Sequence, residues 1–434
     1  MSAQPNAALS RRHLLQLLGL GAGATSLAAC APSASEDTPS AAGEATTDGS
    51  PEDFTFAAWS LTEEAPKPVI EAILEEFGSD RGITIDPISY PFNEYLNQLT
   101  LQIRGGEFSG AAQVDVAWLG SLASLGKLQD LSGLAEGRGY TDAALSACQY
   151  EGTQYGLPWT IGAIGMIGNS ELLEAAGITE LPTTIEDFES ALTEIKATGV
   201  VPYAASTKVA QLKDIFTWME TFGCTLLDGD TVTIGDDASI EAVTWYKRLY
   251  DEELIAADVD RFDARSLFAQ GQAALYDDAV VGRSAVVGDS PDQNLADKMV
   301  PFSRPVLAEG DTPRALVWGH ALVVAEGQGA STAAEFAQWL TSDEDVVTGY
   351  FDALGLPPTT DAGLSSDVVT SDEFTTQFGE RITATATGSP FWAYPQYAQI
   401  ESAVAEQVQA VLVGQSSPKE AMEAAGQAAQ DLLG

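Results

Sequence analysis

The chain has 434 residues, 45% of them apolar, and sets 63 Asp and Glu against 20 Lys and Arg, a formal charge of −43. That surplus of negative charge excludes nucleic acid and anionic membrane surfaces as partners, and a chain of this length divides into more than one core. Three Cys and two His are too few, at these spacings, for a Cys–His metal cluster. In chain order, Arg11 and Arg12, the apolar run Leu14 to Leu20 and the small residues up to Ala29 have the order of an export signal. The run is too short and glycine-rich for a permanent span, which takes about 20 apolar residues, so residues 1–29 are expected to be removed.

Leu27-Ala28-Ala29-Cys30 resembles the lipobox of bacterial lipoproteins, which implies that Cys30 becomes the acylated first residue of the processed chain. Ser10 to Leu15 also resembles a twin-arginine export motif, with His13 and Leu14 departing from its preferred residues. From Ala31 to Asp53 the composition is Ala, Ser, Thr, Pro, Gly, Asp and Glu, with almost nothing to bury. Residues 30–53 are therefore expected to be a lipidated cysteine and a flexible tether, with a coil dimension of roughly 25 Å.

The body alternates strand and helix signals. Phe54 to Trp59 has a strand pattern, Val69 to Phe77 recurs at helical spacing, and Ile83 to Asp86 is again a strand. Tyr95, Leu96, Leu99 and Ile103 mark a second helix, and Val114 to Trp118 a short buried strand. This β-α-β-α-β run predicts parallel strands with helical crossovers, and ligands of such sheets bind beyond the carboxyl ends of the strands. A second α/β unit starts with a buried strand over Ile161 to Ile167 and a helix capped by Ser170. Thr183, Thr184, Glu186 and Asp187 predict a capped helix through Ile195, followed by helices over 212–222, 239–250 and 264–269. Gly271 to Tyr276 reads as a strand, as does Ala315 to Val324 with an interruption at Gly319-His320. Two helices, 399–414 and 418–433, end the chain.

The segments FGSDRGITIDPISYPFNEYLNQL, VDVAWLGSLASLGKLQDL, YEGTQYGLPWT, GNSELLEAAGITELPTTIEDFESAL, EAVTWYKRLYDEELI, LFAQGQAALYDD and AAEFAQWLTSDEDVVTGYFDALGLPPTT resemble, in this order, the bacterial extracellular solute-binding proteins of ABC importers. The group resembled is the large one whose members mostly bind sugars. The resemblance implies an α/β, two-lobed periplasmic-binding-protein-like fold (type II) with the lobes joined by a multi-strand hinge. It places the crossings near Leu157–Trp159, Ala315–Trp318 and Leu356–Pro358, an N-terminal lobe over 54–157 plus 317–356, and a C-terminal lobe over 158–316 plus 357–434. It further implies a small-molecule ligand, permease partners in the membrane, a monomeric and non-enzymatic receptor on the outer face of the cell membrane, and no cofactor or metal.

Sugars present flat apolar faces and a rim of hydroxyls, which aromatic platforms and polar side chains complement. Trp59, Trp118, Trp159 and Trp318 fall at strand ends or expected crossings, with Ser60 and Glu63 in the loop after the first strand and His320 beside Trp318. Trp118 matches a family position where an aromatic stacks on sugar. Trp392 and Tyr394 precede the C-terminal helices, where the family faces its cleft, with core packing as the equal alternative. Asp277 and Asp278 stand where many members carry a Gly-x-Trp, so a polyamine or other cation held by Asp277, Asp278 and Glu63 is the alternative ligand. A secreted glycoside hydrolase with two carboxylates about 5–10 Å apart is the remaining alternative. No Gly-x-Ser-x-Gly motif is present, and adjacent acids such as Glu63-Glu64 are common in so acidic a chain. Pairing of Cys148 with Cys224 is left open by the sequence.

Overall fold

The computed structural model describes residues 42–434; the export signal, Cys30 and the start of the tether lie outside them. Nine strands form one sheet: β1 Phe54–Ala57, β2 Ile85–Ile88, β3 Gly110–Asp115, β4 Gly156–Asn169, β5 Val201–Ala204, β6 Ala273–Ala279, β7 Met299–Phe302, β8 Ala315–Ala325 and β9 Ala386–Thr387. The order is β2-β1-β3-β8-β4-β6-β5, with β7 on β4 and β9 on β8. β1, β2 and β3 are parallel, as β-α-β connections require. Their crossovers are α1 Pro66–Arg81 and α2 Phe92–Gly105, which bury Ile70, Leu74 and Phe77, and Tyr95, Leu99 and Ile103. Both helices end on a glycine in the left-handed conformation, Gly82 and Gly106.

The second half of the sheet is covered by α3 Ile185–Ala197, α4 Asp237–Asp251, α5 Arg261–Ala269 and α6 Gly282–Asp289. Then α7 Ala330–Ser342 and α8 Glu344–Leu354 return to the first half, and α9 Tyr397–Leu412 and α10 Pro418–Leu433 pack beside α4. Thr184 caps α3 by accepting from the Asp187 N–H at 3.2 Å. Trp218 and Trp245 are buried in the second-lobe core, and Trp339 packs on Phe77 of the first.

Two strands carry the chain through both halves. The expected strand over 161–167 is the centre of the 14-residue β4. Its start pairs with β8 and its end with β6 and β7. β8 runs unbroken across Gly319-His320, where the sequence reads as an interruption, because it is hydrogen-bonded on one side to β3 and on the other to β4. What the Gly-His pair produces is a register shift against β4 between His320 and Ala321. After α8 the chain stays with the first lobe beyond Pro358: Thr359 accepts from the Thr141 N–H, and the Asp361 N–H donates to Gly139.

The tether does not remain free up to Asp53. Ala42 and Ala45 donate backbone N–H bonds to Leu128 and Asp130 at 2.9 and 2.8 Å, and Asp130 returns one to Gly43 at 2.8 Å. The Glu52 N–H donates to Thr332 Oγ1 at 2.9 Å, and Ala45 is buried in the first-lobe core. Cys148 and Cys224 are both unbonded and buried, and burial pushes their thiols up, Cys224 to about 11. No helix among the described residues is long and apolar enough to cross a membrane.

Candidate functional site

A cleft of about 630 Å³ opens between the loop after β1, the middle of β8, the end of α8, and the α5 and α6 face of the second lobe. Its floor is aromatic. Trp59 opens a short 3-10 turn directly after β1, in which Thr62 Oγ1 donates to the Trp59 carbonyl at 2.8 Å. Its ring meets Trp118, Phe92, Tyr95 and His320 edge-on, with centroids 4.7 to 5.5 Å apart, the geometry that ring quadrupoles favour. Trp318, half-buried on β8, stands edge-on to His320 at 4.5 Å.

His320 is a fixed neutral donor. The Ser60 N–H donates to Gln113 Oε1, which turns Gln113 Nε2 toward His320 Nδ1, a donation of 2.9 Å. Nδ1 is thereby an acceptor, and the ring proton sits on Nε2, for which no partner exists among the described residues. Burial lowers the imidazole from its ordinary 6.5 to about 3. The unfolded chain therefore takes up a proton near pH 6.5 that the folded chain refuses until about pH 3, so stability is full above pH 6.5 and is lost as pH falls through that window. Comparing unfolding free energies with His320→Gln isolates this slope. The wild type is expected to lose about 2 kcal/mol more than the variant between pH 7 and pH 5. Equal losses would show that His320 is not held neutral. Buried carboxyls raised by desolvation, such as Asp115 and Glu401, act in the opposite direction but are common to both proteins and cancel.

The second-lobe wall is built by α5, whose first turn is fixed by a reciprocal cap: Asp260 accepts from the Asp263 N–H, and Asp263 accepts from the Asp260 N–H. That turn presents Arg261 and Phe262, and one turn later come Arg265 and Ser266. Arg265 grips Asp278 with two parallel bonds, Nε to Oδ2 at 2.7 Å and Nη2 to Oδ1 at 2.9 Å. A Cβ at Gly282 would lie 1.8 Å from Asp278 Oδ2, so only glycine lets α6 start against this pair. Arg261 is paired in turn with the buried Asp214. On the first lobe, Glu63 has no cationic partner within ion-pair distance among the described residues. Burial pushes its carboxyl up, partly offset by Arg265.

Of the residues singled out in the sequence, Trp59, Ser60, Glu63, Asp278, Trp318 and His320 meet in this cleft. The others do not line it. Trp118 packs edge-on against Trp59, with centroids 5.2 Å apart, and does not line the cleft. Trp159 is buried beneath Tyr350, stacked at 4.6 Å, and supports that cleft residue from below. Asp277 points to the opposite face of β6 from Asp278, as strand alternation requires, and is bound there by Arg304 at 2.8 Å and by the Tyr203 hydroxyl. Trp392 donates to Glu401 at 3.3 Å and Tyr394 to Asp230 at 3.4 Å, both in the turn before α9. The cation site imagined from Asp277, Asp278 and Glu63 is therefore not assembled: two of its three carboxylates are neutralised by arginines. Arg261, Phe262, Arg265, Phe92 and Tyr350 are cleft residues that sequence reasoning missed. The signal for the first three was Asp260-x-x-Asp263, which starts the helix before Ala264.

No group of His, Cys, Asp and Glu among the described residues has metal-binding geometry. A family described as bacterial extracellular solute-binding protein matches residues 72–376. No curated protein sequence matches the chain. Among solved structures it is similar to the GacH receptor of Streptomyces glaucescens, studied unliganded and with acarbose, at 24% identity over 88% of this chain and 98% of that one, TM-score 0.79. It is similar to an ABC transporter solute-binding protein from Thermotoga lettingae bound to α-D-tagatose, at 20% identity over 88% and 100%, TM-score 0.80. It is also similar to maltose-bound MalE3 of T. maritima, at 19% identity over 88% and 100%, TM-score 0.78. These likenesses establish the two-lobed α/β fold.

Proposed function

Because the chain belongs to the family of bacterial extracellular solute-binding proteins, we propose that it is the receptor of an ABC importer, taking a mono- or oligosaccharide into the cleft between Trp318 and α5. The observation that carries this reading is the composition of the cleft. Half-buried Trp318 and exposed Phe262 offer apolar ring faces, while His320, Ser60, Glu63 and the Arg265–Asp278 pair offer fixed donors and acceptors. That combination complements a pyranose or furanose, which stacks through C–H faces and exchanges hydrogen bonds at its rim. The acarbose, tagatose and maltose bound by structurally similar receptors support it. The family binds solutes and performs no catalysis.

The lobes close on the ligand by bending where β4 and β8 pass between them, with 54–157 and the segment from 317 through Asp361 moving against 158–316 and the C-terminal helices α9 and α10. Ligand that touches Glu63 and Trp318 on one side and α5 on the other stabilises the closed form selectively, which is what shifts the population. Closed, the monomer delivers its solute to permease subunits. Lipidation at Cys30 holds it on the outer face of the membrane, a role that Cys30→Ser would abolish by releasing the protein from the membrane fraction. Small-angle scattering of residues 42–434 tests the closure: the radius of gyration falls when a binding saccharide is added. An unchanged radius at saturation would contradict it.

A further inference from the structure

The cleft's charges are unevenly satisfied. On the second lobe, both arginines already have carboxylate partners, Arg265 with Asp278 and Arg261 with Asp214. These two pairs are locally neutral and their charged groups are held in place. On the first lobe, Glu63 and its exposed neighbour Glu64 line the cleft, and neither has a cationic partner within ion-pair distance among the described residues. Asp289 adds a further exposed carboxylate at the end of α6. The lining therefore carries an excess of negative charge with no uncommitted cation to receive an anionic ligand.

Glu63 differs from the two exposed acids because it is partly buried beside the aromatic floor, where Tyr350 and Trp59 also line the cleft. A carboxylate in such a place has lost hydration that Arg265, beyond ion-pair distance and committed to Asp278, offsets only in part. A ligand ammonium would restore it, and a charge-assisted bond in a site of reduced dielectric is worth more than one to a hydroxyl. A uronate or sugar phosphate would instead meet repulsion from Glu63, Glu64 and Asp289.

Resting on the saccharide reading above, we propose that the cleft selects saccharides bearing a protonated nitrogen over their neutral counterparts, with Glu63 as the specificity-determining contact. Of the three lining acids without an ion-pair partner among the described residues, only Glu63 is partly buried while Glu64 and Asp289 are exposed, so one amine on a sugar ring fits where an extended polyamine has a single desolvated seat.

The test is a calorimetric titration of residues 42–434 with glucosamine, galactosamine and mannosamine, each beside its parent hexose and its N-acetyl derivative, near pH 6.5. At least one amino sugar is expected to bind about tenfold more tightly than both of its neutral partners. Glu63→Gln is expected to reduce that ratio to within about threefold, whatever its effect on the neutral sugars, and an unchanged cooperative urea transition shows that the variant is folded. Equal affinity for charged and neutral forms in the wild type, or a preference that survives in Glu63→Gln, would overturn the proposal and leave the saccharide reading intact. Failure of all nine sugars to bind would count against the saccharide reading itself, and the proposal would fall with it.

Discussion

Replacing Asp277 with alanine is expected to lower the unfolding free energy by about 3–5 kcal/mol, with no loss of ligand affinity in the folded protein. Asp277 is 5% exposed and accepts from Arg304 Nη2 at 2.8 Å and from the Tyr203 hydroxyl. The Arg304 guanidinium lies 4.4 Å above the Trp218 ring, and its Nε and Nη1 have no hydrogen-bond partner among the described residues. Asp277 is thus its principal compensation, and removing that carboxylate leaves a cation in the second-lobe core that water cannot reach. The double substitution Asp277→Leu with Arg304→Met removes both charges and is expected to cost far less than the single one. Urea unfolding followed by tryptophan fluorescence distinguishes them. A single variant within about 1 kcal/mol of wild type would show that the pair is not holding this core.

The second large effect separates two tryptophans that the sequence treats alike. Trp318→Ala is expected to weaken saccharide binding ten- to a hundredfold, about 1.4–2.7 kcal/mol, because it removes a platform that faces the cleft. Its cost to stability is modest, since the ring is only half-buried. Trp159→Ala is expected to cost about 3–5 kcal/mol in stability, because its 1%-exposed ring fills the first-lobe core and carries Tyr350 stacked on it. Calorimetric titration and urea unfolding of both variants check the split. If Trp159→Ala lost binding at full stability while Trp318→Ala kept it, the assignment of the two rings would be reversed.

The alternation of elements was legible because strand and helix periodicities differ and their caps are local. Thr184 caps α3 where Thr183-Thr184 with Glu186-Asp187 predicts a helix start. The course of β8 was not legible at Gly319-His320, since the pairing that carries the strand through comes from β3 and β4, roughly 200 residues and 160 residues away in the chain. Nor was the docking of residues 42–45: their composition has little to bury, but their backbone N–H and C=O groups pair with the 128–130 segment whatever the side chains are.

In the site, the loop from Trp59 to Glu63 was readable because it follows a strand's carboxyl end, where sheets of this class bind ligands. Asp277 and Asp278 were read as a pair, although adjacent strand residues face opposite ways. Their arginine partners, Arg304 and Arg265, come from a loop after β7 and from α5. No local pattern announces them. Trp118 sits at a strand end like Trp59, and only the three-dimensional packing decides which of the two rings reaches the cleft.

The most direct measurement is a calorimetric titration of the wild-type residues 42–434 with mono- and oligosaccharides, with spermidine and with free amino acids. A ligand at a hundredfold excess over its Kd also stabilises the fold by about 2.7 kcal/mol, giving a thermal shift as an independent readout. The account predicts saturable binding of one saccharide class at one site per chain, with no turnover of the bound sugar. Binding of spermidine alone, or of no saccharide at all, would contradict it.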